Sequence, residues 1–293
     1  MKNYFTIPLT LVAAFFLIAA PVTLQAQDET IAADDSLLTR FADGVVDFSP
    51  ATSTLSADVS DPTAALGAPN VGSTGNPDFD PIGLVSLGDP LPGESAGAIT
   101  LSFSTPVNNS LGERLAVFEN AFDFGSRFAE LAFVEVSSDG QTFARFENFS
   151  AVTPLGSVPA NPATDLLPDF SGNLDFATLP SRDLVSGFAG ADLPFVGTIF
   201  DLSELENDSL VLDGSVDLDN IGFIRLVDVP GDGRETDSFG NPIFDAFSPN
   251  NALGGFDLDA VGVVSAAAVP EPSSVALLGL ASAVVIGRRR RRN

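Results

Sequence analysis

Between Phe41 and Val264 no stretch keeps an apolar helical period over twelve residues. Apolar residues come in short runs, each closed by Gly, Pro, Asn or Asp. A chain punctuated in this way buries its apolar groups through strands, because a strand needs only about four to eight residues and a useful helix needs about ten or more. The clearest strand is Ala98–Ser104, where Ile99, Leu101 and Phe103 alternate with Thr100, Ser102 and Ser104. That alternation predicts one buried face. Arg114–Glu119 and Glu130–Ser137 follow, and Asp139-Gly140 turns the second of them back through Gln141–Phe146. Leu131–Phe146 therefore reads as a β-hairpin. Phe195–Leu202, Asn220–Val229 and Gly255–Val264 are the later strands, and Pro62–Leu66 reads as a single helical turn. Val152–Leu193, rich in Pro, Gly and Asp, reads as long loops with room for one short helix.

These elements predict an all-β, two-sheet antiparallel sandwich, a jelly roll in preference to an immunoglobulin-like arrangement. The first and last strands of such rolls lie side by side, which places Gly44–Phe48 near Phe256–Val264. At the two ends the composition changes. Lys2, the apolar run Phe5–Ala20 and the small residue ending Leu24-Gln25-Ala26 form a secretory signal peptide cut after Ala26. The chain divides into residues 1–26 (signal), 27–40 (a loose acidic leader), 41–265 (the sandwich) and 266–293 (a tail).

That tail has three blocks in fixed order: Pro270-Glu271-Pro272, an uncharged and mostly apolar run from Ser273 to Gly287, and the arginines Arg288, Arg289, Arg290, Arg291 and Arg292. As a helix the apolar run reaches about 22 Å, short of the hydrocarbon thickness of about 30 Å. Snorkelling arginines or local thinning make up the difference, and the arginines stay cytoplasmic by the positive-inside rule. The tail closely resembles the PEP-CTERM sorting signal of Gram-negative bacteria. The resemblance implies processing by an exosortase, a transpeptidase-like membrane enzyme, after export by the Sec machinery and signal peptidase. It implies a precursor held in the inner membrane by its C-terminal helix, and a product at the cell envelope surface or in the extracellular matrix.

The body resembles exported bacterial surface proteins of largely unassigned function. The shared phrases are Ala65–Asn70, Val85–Gly88, Leu115–Asn120, Phe128–Gly140, Ile224–Val229 and Gly254–Val263. This resemblance implies a discoidin-like or carbohydrate-module-like sandwich.

Charge and composition narrow the chemistry. Outside the two ends the only cations are Arg40, Arg114, Arg127, Arg145, Arg182, Arg225 and Arg234, against 38 of the 39 acidic residues, an excess of 31 negative charges. Nothing here neutralises phosphates, so nucleic acid is not a partner. With no cysteine or histidine, the chain has no disulfide, no zinc–thiolate site and no triad base. The remaining enzymatic option is a pair of carboxylates of the glycosidase kind, with Glu119, Glu130 and Glu135 as candidates. The plain alternative makes them surface or salt-bridged strand residues.

Calcium is the stronger expectation. Asp257 and Asp259 alternate along a strand and share one face, and Asp228, Asp232, Asp237 and Asp245 punctuate a Gly/Pro loop. Loops of this kind supply the oxygens that calcium takes. Glu119-Asn120 is a weaker contributor. The alternative is a solvated acidic loop whose aspartates make turns. Phe122, Phe124 and Phe128 are the aromatic residues that a sugar-binding loop would use, with core or loop packing as the alternative. The sequence thus predicts an exported, non-enzymatic surface or matrix protein with a structural, adhesive or polysaccharide-associated role, set against a carbohydrate-active enzyme and a ligand-free scaffold.

Overall fold

The computed structural model describes residues 28–51, 59–69, 83–90, 93–120, 122–123, 127–128, 130–151, 178–179, 184–191, 195–244 and 255–266. The expected signal peptide with Ala26 and residues 267–293 of the tail lie outside them. No helix among the described residues is long and apolar enough to cross a membrane.

Twelve strands build two six-stranded antiparallel sheets. In chain order they are β1 (Thr30–Ala32), β2 (Leu38–Phe41), β3 (Gly44–Ser49), β4 (Val85–Ser86), β5 (Ala98–Val107), β6 (Arg114–Glu119), β7 (Ala132–Ser137), β8 (Ala144–Arg145), β9 (Phe188–Ala189), β10 (Val196–Phe200), β11 (Ile221–Asp228) and β12 (Asp257–Val264). The first sheet runs β1-β10-β6-β12-β2, with β4 also on β12. The second runs β8-β7-β11-β5-β3, with β9 also on β7. The chain changes sheet at each step from β2 to β7 and at each step from β9 to β12. That back-and-forth course is the rolled sandwich the strand order predicts.

Alternation builds the core. Ile99, Leu101 and Phe103 of β5 meet Leu115 and Val117 of β6, Val134 and Val136 of β7, Ile224 and Leu226 of β11, and Val261 and Val263 of β12. Phe146 and Phe200 bridge the sheets edge to face, 5.1 Å between centroids, a geometry that adds to simple burial. The predicted hairpin is present: Ala144 faces Val136 and Arg145 faces Glu135. Asp139 accepts the N–H groups of Gln141 and Thr142 in the turn, and Gly140 supplies the positive φ of 73°. Pro62–Ala65 forms one 3-10 turn, capped by Asp61.

Three expectations are corrected. Gly44–Ser49 pairs with β5 in the second sheet; it is the preceding strand, β2, that lies beside β12, with Phe41 opposite Gly262. The segment 27–40 is not a loose leader where it is described. β1 pairs with β10, and Ile31, Leu37 and Leu38 pack with Ala116, Phe118, Ile199, Ala260 and Val264 on the outer face of the first sheet. Isolated apolar residues suffice there because an edge strand takes its register from its partner. Within 152–193, Val185–Ser186 pairs with Phe149–Ser150, and β9 pairs with β7. Two short helical turns, Leu202–Leu205 and Ser209–Leu212, also appear, each started by an aspartate cap, Asp201 and Asp208.

Candidate functional site at the acidic end of the sandwich

One end of the roll gathers buried acidic residues around Phe256. Asp228 closes β11, and its Oδ1 accepts the Phe256 N–H at 2.9 Å. Leu87 donates its N–H to the Phe256 carbonyl at 2.9 Å. Asp257 opens β12 opposite Ser86, and Asn120 donates its N–H to the Asp257 carbonyl at 3.0 Å. Glu119, at the end of β6, stands opposite Leu258. Gly190 sits where a Cβ would lie 1.8 Å from the Glu130 carbonyl oxygen and 3.1 Å from the Phe256 ring. Asp89, Glu119, Glu130, Asp228 and Asp257 are all buried.

Burial of carboxylates is costly, and the site shows it. Burial pushes the Asp257 carboxyl up to about 7; the Ser86 hydroxyl, hydrogen-bonded to it, opposes the shift and the nearby charge of Asp89 adds to it. Asp257 Oδ1 is buried and makes no hydrogen bond among the described residues.

Of the six expected calcium ligands, the structure describes the side chains of Asp228, Asp237, Asp257 and Asp259. Asp228 and Asp257 meet around Phe256, and Asp259 lies half-buried at the bulge between β6 and β12. Asp237 is committed elsewhere. Its Oδ1 accepts Phe239 N–H and Asn241 N–H, and its Oδ2 accepts Ser150 N–H and the Asn241 amide, at 2.8 to 2.9 Å. Those bonds hold its carboxyl below the usual carboxylate range against the opposing effect of burial. Asp232 opens the short strand Asp232–Thr236, and Asp245 lies outside the described residues. Among the described residues no three carboxylates converge closely enough to hold one metal ion.

Of the three glutamates, Glu135 is salt-bridged: Arg145 Nη2 stands 2.7 Å from Oε1 and Arg225 Nε 2.5 Å from Oε2. Glu119 and Glu130 belong to the acidic end. Phe122 and Phe128 lie in paired two-residue strands; Phe124 lies outside the described residues. The residues missed in sequence are Asp89 and Ser86. A Ser-Leu-Gly-Asp run before a proline is weak local evidence, and only the pairing of β4 with β12 places it.

The family model for the PEP-CTERM protein-sorting motif matches residues 268–292. No characterised protein matches the chain in sequence. Among the described residues β12 is the last strand, and the sorting motif begins within four residues of its end. The chain carries the C-terminal signal of an exported, membrane-anchored precursor that an exosortase processes.

Proposed function

We propose that the sandwich is a non-enzymatic module of the cell surface or extracellular matrix of a Gram-negative bacterium, structural or adhesive and associated with polysaccharide. The observation that carries this reading is the sorting motif set directly behind the last strand of an all-β body. A rolled sandwich offers broad, stable sheet faces of the kind suited to contact with extended polymers. Glu135, one of the three candidate catalytic carboxylates, is occupied by two arginines, which argues for a structural task. The test is fractionation of the host. Wild-type chain is expected in the matrix or at the outer surface, and a chain with Pro270, Glu271 and Pro272 all replaced by Ala is expected to stay in the inner membrane as precursor. Equal distribution of the two would overturn the reading. Sugar release from the host exopolysaccharide, abolished by Glu119→Gln or Glu130→Gln, would establish the enzyme in its place.

One atom favours calcium support as a second element. Asp257 Oδ1 is buried without a hydrogen bond and lies within reach of the Asp89 charge. Two carboxylates and a hydroxyl fall short of the six to eight oxygens that calcium takes, so Asp257, Asp89 and Ser86 would form only part of the coordination shell. A cation that binds only the folded chain must raise its melting temperature. Melting of the full chain in calcium and in chelator, followed by circular dichroism, decides this.

A further inference from the structure

The outer face of the second sheet carries a polar row that runs across five strands. Arg145 of β8 faces Glu135 of β7. Glu135 faces Arg225 of β11. Arg225 faces Thr100 of β5, and Thr100 faces Asp47 of β3. Their neighbours along the strands, Val134 and Val136, Ile224 and Leu226, and Ile99 and Leu101, point into the core, so this row points away from it.

At its centre two guanidinium groups close on one carboxylate. Glu135 is buried, and the Arg145 and Arg225 side chains remain 43% and 36% exposed. The clasp engages Nε and Nη2 of Arg145 and Nε of Arg225. Each guanidinium carries five N–H groups. Each is also laid over an aromatic ring, Arg145 on Phe133 at 4.1 Å and Arg225 on Phe143 at 4.0 Å. Ring and carboxylate together hold both forks in fixed positions on the sheet.

The charge count sets this place apart. Arg40 pairs with Glu113, and Arg114 pairs with Glu29, one cation to one anion. At Glu135 two cations share one anion, so the Arg145 end of the row is positive although Asp47 makes the whole row neutral, in a segment, 27–265, with 31 surplus negative charges. Planar guanidinium forks bind carboxylate or sulfate through paired hydrogen bonds.

We propose that the Arg145–Glu135–Arg225 row is the binding face for an acidic polysaccharide, a chain bearing uronate carboxylates or equivalent anionic substituents. The arginines take the anionic groups, and the half-buried Phe223, two residues before Arg225 on β11, meets the apolar C–H face of the sugar ring. Asp47, at the far end of the row, sets a boundary where anionic groups are not accepted. The inference rests on the polysaccharide-associated reading above and names the ligand class.

The probe is polygalacturonate, compared with its fully methyl-esterified form, which has the same backbone without the charge. Full-length chain is run by affinity electrophoresis with each polymer at about 0.15 M salt, where the Debye length of about 8 Å limits repulsion between the body and the polymer. Polygalacturonate is expected to retard the chain and the ester is not. Arg145→Gln and Arg225→Gln are each expected to weaken retardation about tenfold or more. Glu135→Gln frees both forks from their carboxylate and is expected to tighten it. Lowering the salt to about 0.01 M is expected to weaken it in every case, because the long-range repulsion then extends to about 30 Å. Equal retardation by both polymers, no retardation by polygalacturonate at millimolar uronate, or unchanged retardation in the folded arginine variants overturns the proposal. Should the arginine variants fail to fold by circular dichroism, Glu135→Gln decides: unchanged or weaker retardation overturns it. Failure here with a matrix location intact removes only the ligand class; failure of export removes the reading beneath it.

Discussion

Asp228 Oδ1 accepts the backbone N–H of Phe256 at 2.9 Å, tying the end of the second sheet's central strand to the start of β12 in the first. The bond lies in a buried place, so loss of the acceptor leaves a buried donor unsatisfied. Asp228→Ala is expected to cost about 1–3 kcal/mol, read as a lower urea midpoint by circular dichroism. Asp228→Asn keeps an acceptor in the same place and is expected to cost less than Ala. Equal midpoints for wild type and Ala would show that this link contributes nothing.

Asp257 makes stability depend on pH with a defined sign. Burial raises its folded value from 3.8 to about 7, so the folded chain binds this proton more tightly than the unfolded chain does. Stability from this group is present below about pH 4 and is lost as pH rises through about 7. Melting temperature is expected to be higher at pH 5.5 than at pH 8, and Asp257→Asn is expected to flatten that difference. A variant that keeps the full wild-type slope would place the titration elsewhere.

Proton and cation compete for the same carboxylate. If calcium is held at Asp257, its stabilisation of the full chain is expected to be larger at pH 8 than at pH 5.5, and Asp257→Asn is expected to remove most of it. Melts in calcium and in chelator at the two pH values test this. Equal melting temperatures with and without calcium at pH 8 exclude the cation.

Gly190 has φ of 90°, and a Cβ there would lie 1.8 Å from the Glu130 carbonyl oxygen. The neighbour is backbone and cannot yield cheaply. Gly190→Ala is expected to cost more than about 3 kcal/mol. Gly214, at φ of 82° with nothing within 4 Å, isolates the backbone cost alone, and Gly214→Ala is expected to lose about 1–2 kcal/mol. Comparable urea midpoints for the two variants would mean that the acidic end relaxes around the added methyl.

Deleting residues 28–41 removes β1 and β2 and uncovers Phe118, Ile199 and Val264, which those strands cover. The truncated chain is expected to bind a hydrophobic dye and to melt well below the intact one. A melting temperature within a degree or two of the intact chain would make the segment the dispensable leader that its composition suggests.

The strands that read clearly in sequence are those whose own side chains alternate. Ile99, Leu101 and Phe103 announce β5, and Asp139-Gly140 announces the hairpin turn. β1 and β2 do not read in this way, because Ile31, Leu37 and Leu38 stand apart among polar residues and their order comes from β10 and β12, far along the chain. At the site, the aspartates were visible but their duties were not. Asp237 makes a turn, as Asp does for local reasons, while Asp257 is buried by a partner strand more than 170 residues earlier. Glu135 reads as an acid on a strand in sequence; its two arginines come from β8 and β11, one near in the chain and one 90 residues away.

β12 is the last strand among the described residues and yet lies between β6 and β2, inside the first sheet. Neither neighbour can complete its hydrogen bonds until residues 257–264 arrive. A chain crossing a membrane N-terminus first delivers this strand last, just ahead of the sorting motif. The first sheet therefore cannot close before residues 257–264 are present. A chain truncated before residue 257 lacks both an inner strand of this sheet and the sorting motif.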